Sequence, residues 1–284
     1  MSESLRQIKN RIRSIENTKK LTRAMEMVAA AKLKPLENQL RAARRYSLKI
    51  ESLLYNLLAQ GMSLKHPFLE EREEKQRLTL CLVTSDTGLC GSYNHTIIRA
   101  AENFLSGQKI DKVNLVAIGK KGYNYFKKRN FTIASAYTDF RGRYSDEALE
   151  KIIECLTGMF LNGQTDEIYI AYTRFESSSR QTPVLEKFLN IQPKAGTSIE
   201  YLVEPARKAV VEDLITAHSN AKIRNILLDS FISEHSSRVM AMGEATDNAK
   251  ELLEELILFR NKVRQASITR DIMEIVSAAE ALKG

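Results

Sequence analysis

Apolar residues return every three or four positions at both ends of the chain, and fall into short unbroken runs in its middle. Near the start, Leu5, Ile8, Ile12 and Ile15 step by 3, 4 and 3; Leu21, Met25 and Val28 continue after a slip of one residue. Leu36, Leu40, Ala43, Ser47, Ile50, Leu54 and Leu57 then resume the alternation. Towards the end, Leu252, Leu256, Phe259, Val263 and Ala266 repeat it, and after a second slip so do Ile268, Ile272, Ile275, Ala279 and Leu282. A 3–4 alternation keeps one apolar seam turned towards a partner helix. The slips read as stutters, which locally unwind a supercoil.

Helix breakers divide the chain the same way. Ten of the 12 glycines lie between Gly61 and Gly196. Residues 1–60 hold no glycine and one proline, Pro35, and only Gly243 interrupts the segment from 206 to the terminal Gly284. Runs so free of breakers exceed ordinary globular helices and point to a coiled coil. Pro35 is expected to kink the first helix, since it removes one ladder hydrogen bond. Three parts follow: an N-terminal helix over 1–60, a middle domain over 61–205 and a C-terminal helix over 206–284. The simplest partner for each helix is the other, lying antiparallel. At 1.5 Å per residue they would span roughly 80 Å and roughly 110 Å, so the C-terminal tip would project by about 30 Å. That tip carries Ile268, Ile272, Ile275, Val276 and Leu282. A bare apolar stripe predicts a binding surface; folding back or dimerisation would cover it instead.

In the middle, Leu78–Thr84, Val113–Gly119, Phe131–Tyr137, Glu167–Phe175 and Pro183–Leu189 read as strands. His95–Leu105, Lys121–Arg129 and Asp146–Leu161 read as helices. Such alternation predicts a mainly parallel sheet with covering helices. Sheets of this kind often bind nucleotides at the first strand–helix turn. Here that turn, Gly88-Leu-Cys-Gly91, has neither the GxGxxG nor the GxxxxGK[ST] spacing, and its glycines read as turn formers. Cys90 and His95 share the loop region without a third partner to complete a nucleophile–base arrangement. Cys81 and Cys155 sit among apolar neighbours and read as core.

Composition adds limits. The apolar fraction of 43% and charged fraction of 27% are those of a folded soluble chain. No run approaches the ~18 uncharged apolar residues of a membrane span, and the N-terminus lacks the apolar core of a secretory signal. Three scattered cysteines do not make a disulfide framework, and four histidines show no metal-ligand spacing. The net charge of +8 is carried by residues 1–60, with 13 Lys/Arg against 5 Asp/Glu. Such a segment suits acidic neighbours such as nucleic acid, an anionic membrane surface or acidic protein, or is simply a solvated face.

Particular residues resemble a known family. Arg11-Ile-Arg-Ser-Ile-Glu-Asn-Thr-Lys-Lys-Leu-Thr-Arg-Ala-Met-Glu-Met-Val-Ala-Ala-Ala-Lys-Leu33 is similar to the N-terminal signature of the gamma subunits of F-type ATP synthases. Ser85-Asp-Thr-Gly-Leu-Cys-Gly91 resembles that family's middle-domain motif, and Glu200–Pro205 the segment entering its last helix. Ser233–Ala249 and Arg264–Val276 resemble that helix itself. Asp271, Ala278 and Thr87 depart from the family's usual Glu, Gly and Arg. No long cysteine-containing insertion of the chloroplast kind is present, which favours a bacterial relative.

The resemblance implies a fold class: α/β plus a long antiparallel coiled coil, with a central Rossmann-like domain. It implies a rotor shaft at the axis of a hexamer of alternating alpha and beta subunits, whose foot meets the epsilon subunit and the membrane ring of c subunits. Ion flow through the c ring would drive ATP synthesis or hydrolysis in the hexamer by rotation, peripheral to the cytoplasmic face of the bacterial plasma membrane. It implies no catalytic, cofactor or metal residue in this chain, since ATP and Mg²⁺ bind partner subunits. By the same resemblance, Met25, Arg238, Arg264, Gln265, Thr269, Asp271 and Glu274 fall where the shaft meets the hexamer or locks its own helices. Tyr201 falls at the foot. The residues alone also allow a non-rotary coiled-coil scaffold with an α/β head, a basic-helix nucleic-acid binder, or a nucleotide-dependent enzyme built on the middle domain. Against nucleic acid, only Tyr46 and Tyr55 interleave the basic residues of 1–60.

Overall fold

A computed structural model describes residues 4–59, 66–70, 72, 76–107, 112–192, 201, 203–204 and 206–282. The expected part boundaries at 60–61 and 205 lie outside the described residues. The elements are α1 (Leu5–Ala59), β1 (Arg77–Val83), α2 (Tyr93–Ser106), β2 (Lys112–Ile118), α3 (Lys120–Lys127), β3 (Ile133–Tyr137), α4 (Asp146–Leu161), β4 (Glu167–Ser177), β5 (Arg180–Leu189) and α5 (Arg207–Ala281). The long N- and C-terminal helices pack together, and between them in sequence lies a mostly parallel five-stranded sheet. The chain forms two compact units: residues 1–28 with 239–284, and residues 29–238.

In the larger unit the sheet order is β3-β2-β1-β4-β5. β1 pairs in parallel with β2 and β4, β2 in parallel with β3, and β5 returns antiparallel along β4. Period-two alternation supplies two separate cores. Leu78, Leu80 and Leu82 face α2 and α3, with Ile97, Ala101 and Phe126. Cys81 and Val83 face the other side, with Leu149 and Ile152 of α4, Leu40 and Leu54 of α1, and Ile215 and Phe231 of α5. Both faces are covered, as a parallel sheet requires. β5 is an edge strand and holds Pro183, whose missing N–H an edge can tolerate. Gly119, at φ +95°, turns β2 into α3; a Cβ there would overlap the Thr84 carbonyl, so only glycine fits.

The smaller unit is a two-helix pair. Ile8 and Ile12 of α1 pack with Leu253 and Leu256 of α5, flanked by Ile15, Leu252 and Val263. Two sequence expectations fail here. Leu21 and Val28 are 61% and 60% exposed rather than buried, and Phe259 is 43% exposed. The seam instead continues without a stutter through Lys19, Thr22 and Glu26 on α1, and through Met242, Thr246, Ala249, Leu253 and Leu256 on α5. Thr22 and Thr246 are buried and join their hydroxyls at 2.8 Å, while Thr246 also donates to the Met242 carbonyl at 2.7 Å. A satisfied polar pair therefore occupies seam positions where the apolar pattern shows a gap. Pro35, in the larger unit, lies on an exposed face inside the continuous α1, which runs through it unbroken.

Candidate functional site

In a doubly wound sheet, ligands bind beyond the carboxyl ends of the strands where the strand order reverses. Here the reversal lies between β1 and β4. That crevice is filled by α5. Tyr93, at the start of α2, donates its hydroxyl to the Ser230 carbonyl at 3.1 Å. Ser233 donates to the Thr173 carbonyl at 3.3 Å, and the Phe175 amide donates to Asp229 Oδ1 at 3.2 Å. Burial drives the Tyr93 phenol well above its ordinary range. Every residue from Ile226 to Ser236 is buried, so this stretch of helix is enclosed on all sides. A helix enclosed so completely needs small residues at its contacts, and Ser230, Ser233 and Ser236 supply them.

The next turn of α5 carries a buried polar network. Arg238 donates to Glu234 Oε1 at 2.7 Å, to Thr87 Oγ1 at 3.0 Å and to the Gly88 carbonyl at 3.4 Å. Its other terminal nitrogen lies 3.1 Å from His235 Nδ1. The opposite ring nitrogen of His235, Nε2, lies 3.1 Å from the Gly142 carbonyl. A carbonyl only accepts, so Nε2 carries the proton and Nδ1 accepts from Arg238. Burial, with Lys32 and Arg238 nearby, lowers the imidazole pKa to about 4, and His235 is therefore neutral at physiological pH. Burial raises the Glu234 pKa, and the Arg238 guanidinium opposes that rise. Gly142, at φ +65°, permits the approach; a Cβ there would overlap the His235 ring.

α1 joins the same region. Lys32 donates to the Arg141 carbonyl at 3.4 Å, and burial followed by the charges of Arg143 and Arg238 lowers its pKa. Farther along, Arg44 pairs with Asp229 at 2.6 Å and reaches the Phe175 carbonyl at 3.0 Å. Thus α1, α5, the loops after β1 and β3, and the end of β4 form one joint. It unites the two motifs Ser85–Gly91 and Ser233–Arg238, which stand far apart in sequence.

Cys90 takes part in this joint as structure. It is buried beside Ser85 and Asn94, burial raises its thiol pKa, and His95 is exposed, so the two do not form a nucleophile–base pair. Cys81 is fully buried, as its pattern predicts, while Cys155 is half-buried and donates to Ser135 at 3.4 Å.

The model of the family described as ATP synthase matches residues 4–282. An ATP synthase gamma chain from Protochlamydia amoebophila is 38% identical over 284 residues, covering 99% of both chains. One from Dechloromonas aromatica is 39% identical over 285 residues, covering 98% of this chain and 99% of its own. The chain belongs to the ATP synthase gamma chain family. A chain of the Euglena gracilis mitochondrial ATP synthase (OSCP/F1/c-ring, rotational state 3) shares the gamma chain fold with a TM-score of 0.71 at 17% identity, covering 98% of this chain and 94% of its own. A chain of the rotor of the same synthase in rotational state 1 gives 0.67 at 18% identity, covering 93% and 98%.

The positions carried over from the gamma chain motifs fall into three places. Arg238 is in the buried network. Met25 is half-buried in the smaller unit, where Arg264, Gln265, Thr269, Asp271 and Glu274 are all exposed on α5; Thr269 donates to the Gln265 carbonyl of its own helix, at 3.0 Å. Tyr201 is half-buried, and its hydroxyl accepts from Asn56 Nδ2 at 3.1 Å. From Ile268 to Leu282, through the end of α5 and one residue beyond, every side chain is exposed, including Ile272, Met273, Ile275 and Val276. Sequence reasoning missed Asp86, Glu234 and His235. Their motif membership was visible, but no spacing rule marks residues that meet only across the fold.

Proposed function

We propose that this chain is the central rotor shaft of a bacterial F-type ATP synthase. One observation carries the reading: α5 is enclosed by the head over Ile226–Ser236 and uncovered on every side over Ile268–Leu282. A helix held fast in one place and bare in another suits an element that is driven at the first and turns within a sleeve at the second. The exposed tip offers apolar contacts and few fixed ion pairs, which suits sliding against a surrounding hexamer of alpha and beta subunits. The head would seat, with the epsilon subunit, on the c ring, and Tyr201 is the foot residue for that contact. The exposed basic residues of α1, among them Arg6, Lys9, Arg13 and Lys20, suit an acidic sleeve. No described helix is long and apolar enough to cross a membrane, which fits a peripheral position at the cytoplasmic face.

In this reading the chain makes and breaks no bonds. ATP and Mg²⁺ bind the hexamer, and the shaft changes those sites in turn by presenting different faces. Torque passes between head and helices through the buried joint around Arg238 and Asp229. A rotation assay tests the reading. The hexamer is immobilised, a probe is fixed to the head, and ATP is added. Stepwise rotation that loses torque when residues 268–284 are removed is the expected result; equal torque with and without them would overturn the role given to the tip. Failure of the full-length chain to join the hexamer would overturn the rotor reading itself.

A further inference from the structure

The carboxylate of Asp86 does more than any apolar or motif pattern suggests. Oδ1 accepts from the backbone amides of Lys120 and Asp139, both at 3.1 Å, and Oδ2 accepts from the Arg141 amide at 2.7 Å. One side chain in the β1–α2 loop therefore gathers the loops that follow β2 and β3. The last of these is strained: Asp139 has φ 72° and Arg141 has φ 49°, both left-handed and neither glycine. Such backbone persists only where its surroundings over-determine it, and here the two strained residues donate their amides to Asp86. The strain has a use. It turns the Arg141 carbonyl to Lys32 of α1 and the Gly142 carbonyl to His235 of α5. The residue after Asp86, Thr87, offers its hydroxyl to Arg238. One carboxylate thus sets both places where the loops grip α5.

We propose that Asp86 is the positioning residue of the joint through which the head turns together with α5, so that its loss uncouples rotation before it stops ATP hydrolysis. The inference rests on the rotor reading.

The test uses the complete complex in sealed vesicles, with ATP hydrolysis and ATP-driven ion uptake measured on the same sample. Asp86→Asn keeps the size but removes the charge and turns an NH₂ group towards the backbone donors. Loss of charge-assisted bonds should speed hydrogen exchange at the Asp139 and Arg141 amides by roughly tenfold. Hydrolysis should persist while ions moved per ATP fall severalfold. An unchanged ion-to-ATP ratio alongside faster exchange would overturn the proposal, because a residue important only for folding would lower both activities together. Should Asp86→Asn block assembly, Thr87→Val carries the test: Thr87 is exposed, and the change removes only the hydroxyl facing Arg238. A smaller fall in the same ratio supports the joint, and no fall refutes it. Failure of the unsubstituted chain to assemble would strike the rotor reading instead, and is separable for that reason.

Discussion

Replacing Arg238 with methionine removes the cation that compensates Glu234 and leaves the carboxylate where it is. The Glu234 side chain is 1% exposed, and the Arg238 guanidinium sits 2.7 Å from it. Methionine fills much of the same volume, so the change removes the charge and its hydrogen bonds to Glu234, His235 and Thr87 without opening a large cavity. Breaking a buried pair by removing one partner costs about 3–5 kcal/mol, because the remaining ion keeps its desolvation penalty. For a chain of this size that corresponds to a fall of roughly 6–20 °C in the melting midpoint. The pH dependence is a second signature. Burial already raises the Glu234 pKa against the pull of Arg238 and Lys32, with Asp86 adding to the rise. Without Arg238 it rises further, so lowering the pH lets the carboxyl take a proton, and the deficit of the variant shrinks as the solution is acidified. Calorimetry or circular dichroism on the full chain at several pH values measures both effects. The double change Glu234→Leu with Arg238→Met should recover most of the loss. A single-variant deficit under about 1 kcal/mol, within the ordinary range for point changes, would refute the reasoning. So would a deficit independent of pH, or a double variant no better than the single.

His235 gives a separate pH signal. Its folded pKa of about 4 lies below the ordinary 6.5, so the stability it contributes is present above pH 6.5 and is lost as pH falls towards 4. The loss is at most about 3 kcal/mol, and His235→Gln should lack that slope in denaturant titrations. Asp166 is buried, and although burial opposes its ionisation, hydrogen bonds from Arg77 and Arg72 hold its carboxyl below the usual range. Asp166→Asn should therefore cost about 3 kcal/mol at neutral pH and progressively less as the pH drops through the carboxylate range, read from melting curves. Thr22→Val with Thr246→Val should leave melting nearly unchanged while loosening the helix register. Cysteines placed at Glu26 and Gly243, which approach each other closely, should then cross-link less efficiently. Ile272→Asp with Ile275→Asp touches only exposed positions, so the chain's own stability should stay within about 0.5 kcal/mol while its affinity for an alpha–beta hexamer falls.

Sequence legibility follows physical scale. The helices and strands were readable because long breaker-free runs and period-two apolar runs are local. Leu78, Leu80 and Leu82 facing one way, with Cys81 and Val83 facing the other, follow from alternation alone. The seam between residues 19 and 29 was not readable, because Thr22 and Thr246 bury hydroxyls that satisfy each other only once the helices meet. Apolar counting passed over them and chose Leu21 and Val28, which face solvent. The exposed tip was legible from the same periodicity, since it needed only the helix length and the residue types. The joint was hidden for a different reason. Asp86, Gly142 and His235 act through backbone amides and carbonyls of other loops, and such bonds leave no mark in residue spacing. The glycines after β1 read as turn formers, without the spacing of a phosphate loop, and the crevice they border is filled by the chain's own helix.

That filled crevice fixes the order in which the molecule can be completed. The head's sheet is made of residues 77–189, yet the stretch that closes it, Ile226–Ser236, is synthesised later. The apolar face of α1 waits longer still: Leu36, Leu40 and Leu54 share a core with Val211, Ile215 and Phe231, more than 150 residues downstream. Contacts so distant in sequence form slowly, and surfaces awaiting them are open to wrong partners. A ribosome that stalls before residue 226 leaves a sheet with an open crevice and a helix with a bare seam. The nascent chain is therefore vulnerable for most of its synthesis, and protected only when its last helix arrives.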